Sequence, residues 1–280
     1  MEYVAFLRQL GVPPEAIAVI TGELELEGYE PVTNYEGLPP ALLPIARTAS
    51  GIVVGYWKHW FTNKRQLTIV DFFGITMFGC YNIAMERARN FQQFICMYCL
   101  EDIACDEAVK ENVRNIAKYA GIDNLQEIAA LSDQYGDDVS ALLQLDIVRR
   151  DPPQACFEDL SLYPGDFPHP GMERDPEALR HACGYEIHSR FAGGKPDPLR
   201  YREYIAQRVE SPPWLRVTDQ PMVFRSMLAT GDYLGAWMSL NSISWEGSDL
   251  LSATEELARQ ARNPDFAAYA SIWARLPRLG

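Results

Sequence analysis

Apolar residues fall into short blocks whose spacing changes along the chain. Val4, Leu7 and Leu10 recur at helical intervals and predict a helix over 3–10, stopped by Gly11 and Pro13; a second runs from Pro14 to about Ile20. ELELEGYEPV alternates charge with apolar bulk, the pattern of a half-buried strand with Leu24 and Leu26 inward. The stretch from Leu38 to Ile103 organises the rest. Tyr35 to Pro44 is an ordered connection, because Gly37, Pro39, Pro40 and Pro44 restrict both helix and central strand. Ser50-Gly51 turns the chain, and Ile52 to Phe61 carries the aromatic and branched residues that favour a strand. Thr62-Asn63-Lys64-Arg65 is the expected hairpin turn into a strand from Leu67 to Phe73, antiparallel to its neighbour because the connection is short. Phe78 to Ala84 either continues the sheet or approaches the next helix; the pattern does not decide. From Asn90, a natural N-cap, Phe91, Phe94, Ile95 and Tyr98 form a helical face, with Glu101 and Asp102 directed outward.

Helical groups follow at 107–119 and 124–135, and YGDDVSALLQLDIV predicts a helix with Asp137 or Asp138 near its start. DPPQACFEDLSLYPGDFPHPGMERDP, rich in proline and aromatics, predicts a long ordered loop or domain connection. Beyond it lie helical candidates at 176–183, 198–209, 221–230, 252–262 and 265–276, with Trp214, Trp237, Trp245 and Trp273 as apolar bulk for a small core, independent or packed on the first domain. The expected class is α+β: a mixed sheet with flanking helices over residues 1–150, then a proline-rich connection and a mainly helical region over 151–280.

Composition narrows the function classes. The chain has 280 residues, is 48% hydrophobic and carries a formal net charge of -13, so it can bury a sizeable core while repelling nucleic acid and anionic lipid and attracting basic surfaces. Neither a nucleic-acid nor a membrane partner is expected. No secretory signal pattern opens the chain and no apolar run approaches bilayer length, so the expected location is cytoplasmic, with the six cysteines reduced.

Candidate chemistry is sparse. Cys96, Cys99 and Cys105 lack a local fourth ligand for a structural zinc site and are expected as packed thiols. His169, His181, Cys183 and His188 have looser metal-like spacing, and a metal-dependent enzyme built on them is the second alternative function. His59 has no serine or cysteine that the sequence can place opposite it. Glu101/Asp102, Asp137/Asp138 and Glu158/Asp159 are adjacent on single elements, whereas glycoside hydrolysis needs carboxylates across a cleft. GITMFG and FAGGKP match no dinucleotide or phosphate loop. No catalytic residue, cofactor or metal is therefore expected.

LPPALLPIARTASG, the aromatic strand after it, IVDFF and the ARNFQQFICMYCL helix together resemble the SUKH superfamily over roughly residues 10 to 105. The matching positions are Leu43, Pro44, Ile45, Ala46 and Gly51, then Ala88, Asn90, Phe91, Phe94 and Leu100. The resemblance implies a strand at LLPIA, an α+β fold, and the activity of an immunity protein: stoichiometric binding of a cognate bacterial toxin, frequently a nuclease, without catalysis. The acidic balance suits a toxin with a basic surface. Expected contacts are Glu23, Glu25, Glu27 and Glu30, exposed positions among Tyr56, Trp57, Lys58, His59 and Trp60, and Asp137 and Asp138. The first alternative is a regulatory scaffold that uses the same fold to bind a cellular protein.

Overall fold

The computed structural model describes residues 2–61, 67–73, 83–157, 162–164, 219–241, 245 and 247–278. The expected turn at 62–65 and helices at 176–183 and 198–209 lie outside them. Helices α1 (Glu2–Gln9) and α2 (Pro14–Thr21) form where the spacing predicts. Pro14 opens α2 at a position where its missing N–H is not needed, and Gly22 closes it in the left-handed region at φ 76°.

Five strands follow: β1 (Tyr29–Glu30), β2 (Leu42–Thr48), β3 (Val53–Trp57), β4 (Thr68–Phe73) and β5 (Ile83–Ala88). They pair in chain order and every pairing is antiparallel, so the sheet is a meander and not the mixed sheet expected. Among the described residues each strand neighbours the next in sequence, and no crossover places parallel strands side by side. The alternating ELELEGYEPV pattern also gives less strand than expected. Only Tyr29 and Glu30 pair, with Pro31 next in the chain, while Leu26 is buried from a loop.

Strand β2 runs through Pro44, so it begins inside the stretch expected as a connection and lies where the resemblance implies a strand. Its register shifts between Pro44 and Ala46, and Gly55 stands opposite on β3. A Cβ on Gly55 would sit 2.7 Å from the Leu43 carbonyl oxygen and 2.9 Å from the Pro44 Cα, so only glycine admits this close backbone approach.

Helix α3 (Phe91–Asp106) starts at Asn90, whose Oδ1 accepts from the Gln93 N–H at 2.9 Å. It is buried almost all round, with Phe94, Ile95, Cys96, Met97, Cys99 and Leu100 fully enclosed between the sheet and the helices α4 (Glu111–Tyr119) and α5 (Leu125–Tyr135). Glu101, expected to face outward, turns to the Arg87 guanidinium, which also holds Asp71 at 2.9 Å. The segment from Val139 is a 3-10 turn (Val139–Gln144) followed by the short helix α6 (Asp146–Arg149).

Near the C-terminus, α7 (Gln220–Ala229), α8 (Tyr233–Leu240), α9 (Gly247–Ala261) and α10 (Pro264–Ala274) form a helical layer. This layer packs on the sheet domain. Asn241 Oδ1 accepts from the Ala41 N–H at 2.6 Å, the Tyr269 hydroxyl donates to the Pro40 carbonyl, and Trp60 lies among Phe6, Phe266 and Tyr269. The Tyr35 N–H donates to the Pro277 carbonyl at 2.9 Å, which ties the far end of the chain to the loop before β2. A single apolar core results.

Candidate partner-binding surface

From Gln9 to Ala46 the chain has six glutamates and no lysine, arginine or histidine. The structure sets Glu23, Glu25, Glu30 and Glu36 exposed along the β1 side of the sheet, and none of them makes an ion pair among the described residues. Glu30 stands in register with Arg47, but that guanidinium donates to the Asn34 carbonyl and leaves the carboxylate to solvent. Glu27 behaves differently. Its carboxylate takes Lys110 at 3.2 Å and Asn112 at 2.9 Å, clasping the loop to α4. It is therefore the least available of the expected acidic contacts.

The expected contacts around β3 need a larger correction. Tyr56, Trp57, His59 and Trp60 are 3%, 1%, 4% and 9% exposed, so they belong to the core and not to a surface. The cause is topological: β3 is the central strand, paired on both edges, and Trp60 beyond its end meets rings from α1 and α10. Burial pushes the Tyr56 hydroxyl pKa up, and the Glu15 charge on α2 adds to it. Lys58 is half-buried with its ammonium 5.1 Å from the Trp60 ring centre; desolvation pulls its pKa down, opposed by Asp265. Asp137 and Asp138 are exposed between α5 and the 3-10 turn, where Asp138 accepts from the Ser140 N–H at 2.9 Å as a cap.

Sequence reasoning missed a cleft next to the acidic strip. A recess of about 470 Å³ opens between α1 and α2, with Val4, Ile17 and Ala18 in its walls, Arg8 and Glu23 at its sides and Tyr119 from the end of α4 across it. Tyr119 is 50% exposed. No local sequence signal identifies this site, because it exists only once three separate helices meet.

The buried polar groups do other work. Glu86, fully enclosed on β5, accepts from the Tyr163 hydroxyl at 2.5 Å and the Gln154 N–H at 3.0 Å, and pairs with Arg89 at 3.0 Å. The Thr68 hydroxyl lies 2.7 Å from its other oxygen. The Gln154 side chain in turn accepts from the outward Glu86 N–H, covering the free edge of β5. Burial raises the Glu86 pKa against the opposing pull of Arg89 and these donors. The group fastens the segment after α6 to the sheet and has no access to solvent.

Cys96, Cys99 and Cys156 are buried thiols, each pushed up to about 12 by desolvation; the expected packing holds for Cys96 and Cys99, whereas Cys105, at the end of α3, is exposed. Among the described residues no group of three His, Cys, Asp or Glu side chains could hold a metal, and no helix is long and apolar enough to cross a membrane. His169, His181, Cys183, His188 and the Glu158/Asp159 pair lie outside those residues. Compared with known proteins, the chain matches no family model, no curated protein and no solved structure.

Proposed function

We propose that this is a cytoplasmic, SUKH-type immunity protein that neutralises a basic toxin by binding it stoichiometrically, without catalysis, cofactor or metal. The observation that carries this reading is the set of exposed carboxylates Glu23, Glu25, Glu30 and Glu36, unpaired among the described residues, on β1 and the segments flanking it, in a stretch without a single cation. Unpaired charges of one sign on an ordered surface create a field that accelerates encounter with a basic protein and disfavours acidic competitors. The net charge of -13 extends that field over the molecule. The LLPIA strand and the Asn90-capped helix are the elements on which the resemblance to the SUKH superfamily rests.

The experiment is capture on the immobilised full chain from the organism that makes it, followed by activity titration of the captured protein. The reading expects a basic protein whose activity falls to zero at one equivalent. A partner that stays fully active at saturation, as a scaffold's partner would, contradicts it.

A further inference from the structure

We propose that the cleft between α1 and α2 is the anchor site of the partner interface and seats one aromatic or aliphatic side chain whose chain neighbour is an arginine or lysine lying toward Glu23. This inference rests on the proposed binding function and specifies what the acidic surface recognises. Three observations lead to it. The recess, about 470 Å³, suits one large side chain and its backbone, and its mixed polar and apolar lining includes the side chains of Val4, Ile17 and Ala18 from α1 and α2. Tyr119 leaves half its ring uncovered at the same place, although large aromatic rings contribute most when buried, and tight interfaces concentrate affinity in such pockets.

The third observation is charge. Arg8 and Glu23 both line the cleft, yet they do not pair with each other or with any other described residue. Glu23 is followed in the chain by the exposed, unpaired Glu25 and Glu30, so a cation entering the recess is attracted toward Glu23 and repelled by Arg8. A segment of the form basic-apolar can therefore enter with its basic residue on the Glu23 side only. The same asymmetry fixes the direction of the partner chain.

The neighbouring sheet edge does not offer the other common mode of peptide capture. Strand β1 is two residues long and Pro31, next in the chain, has no N–H to donate, so an added strand would gain few backbone hydrogen bonds. A side-chain anchor is the mode that this surface allows.

The test uses blocked tetrapeptides and the isotopically labelled full chain, observed through the methyl signals of Val4, Ile17 and Ala18 and the ring of Tyr119. Acetyl-Gly-Arg-Phe-Gly-amide is expected to shift these signals saturably. Replacing its Phe by Ala should weaken binding by about tenfold or more, and replacing its Arg by Glu by about threefold. Tyr119→Ala, and Thr21→Arg, which fills the cleft from an exposed position, should each abolish the shifts while leaving the thermal melt in place. Shifts confined to the amides of Glu23 and Glu25, indifferent to the Phe, would show simple charge attraction and overturn the anchor. Equal binding of the Arg and Glu peptides would overturn the charge assignment. Either failure leaves the acidic-surface reading to be judged separately, by capture of the basic protein with Glu23, Glu25 and Glu30 replaced.

Discussion

Trp60 distinguishes a surface from a core most sharply, because its residue type suits both. In the structure its indole is 9% exposed and stacks on Tyr269 at 5.3 Å, with Phe266 at 5.6 Å and Phe6 at 6.2 Å. Each aromatic pair contributes roughly 0.5–1.5 kcal/mol beyond its buried area. Truncating a buried tryptophan costs about 3–5 kcal/mol, and the three pairs lost here place Trp60→Ala toward the upper part of that range. The damage should be felt on both sides, since the ring joins α1 to α10. With a urea m-value of about 3 kcal/mol/M, the unfolding midpoint should fall by at least 1 M, followed by far-ultraviolet circular dichroism, while Trp60→Phe should be much less destabilising. A midpoint shift below about 0.3 M for Trp60→Ala would refute the core placement and return the indole to the partner surface.

Gly55→Ala should destabilise by about 1–3 kcal/mol in the same urea assay, because its Cβ meets the backbone of Leu43 and Pro44; an unchanged midpoint would mean that the bulge yields freely. Residue-mapped alkylation at pH 8 should modify exposed Cys105 well before Cys96, Cys99 and Cys156, which are buried and held protonated by desolvation, and comparable rates in the folded chain would contradict their burial. Glu86 has a raised pKa in the folded state, so the folded chain binds the extra proton between the unfolded carboxyl value of about 4.3 and its own value. Its contribution is fully present at the acid end of that window and is lost as pH rises through it. The stability of the native chain relative to Glu86→Gln should therefore increase on acidification; an increase on raising the pH would reverse the assigned balance between burial and Arg89.

Elements with a strong local signal were legible in the sequence. The Asn90 cap, the spacing of Phe91, Phe94 and Ile95, and the proline and glycine that bound α2 each specify their structure within one turn of chain. Strand β2 was hidden from the local pattern by Pro44, which stands opposite Gly55 eleven positions later, and only the resemblance implied a strand at LLPIA. The character of Gln93 was hidden too. It looks like a surface residue in FQQF, yet its side chain is buried, donating to the Ile147 and Asp151 carbonyls and accepting from the Arg89 N–H. The exposed glutamates were readable because no neighbouring cation could neutralise them, except Glu27, whose partners Lys110 and Asn112 are far along the chain. The aromatic run at Tyr56 to Trp60 misled for the opposite reason. Interfaces and cores favour the same side chains, and only the tertiary position of β3 separates the two.

The central claim is that unpaired carboxylates on the β1 side steer a basic protein partner. It is tested most directly by the association rate of the captured partner with the native chain and with the Glu23→Gln, Glu25→Gln, Glu30→Gln triple variant, measured by stopped flow across ionic strength. The triple variant should associate several-fold more slowly at low salt, by up to about tenfold, and its rate should depend less steeply on salt, with dissociation changed much less. Identical association rates and identical salt slopes would contradict the claim.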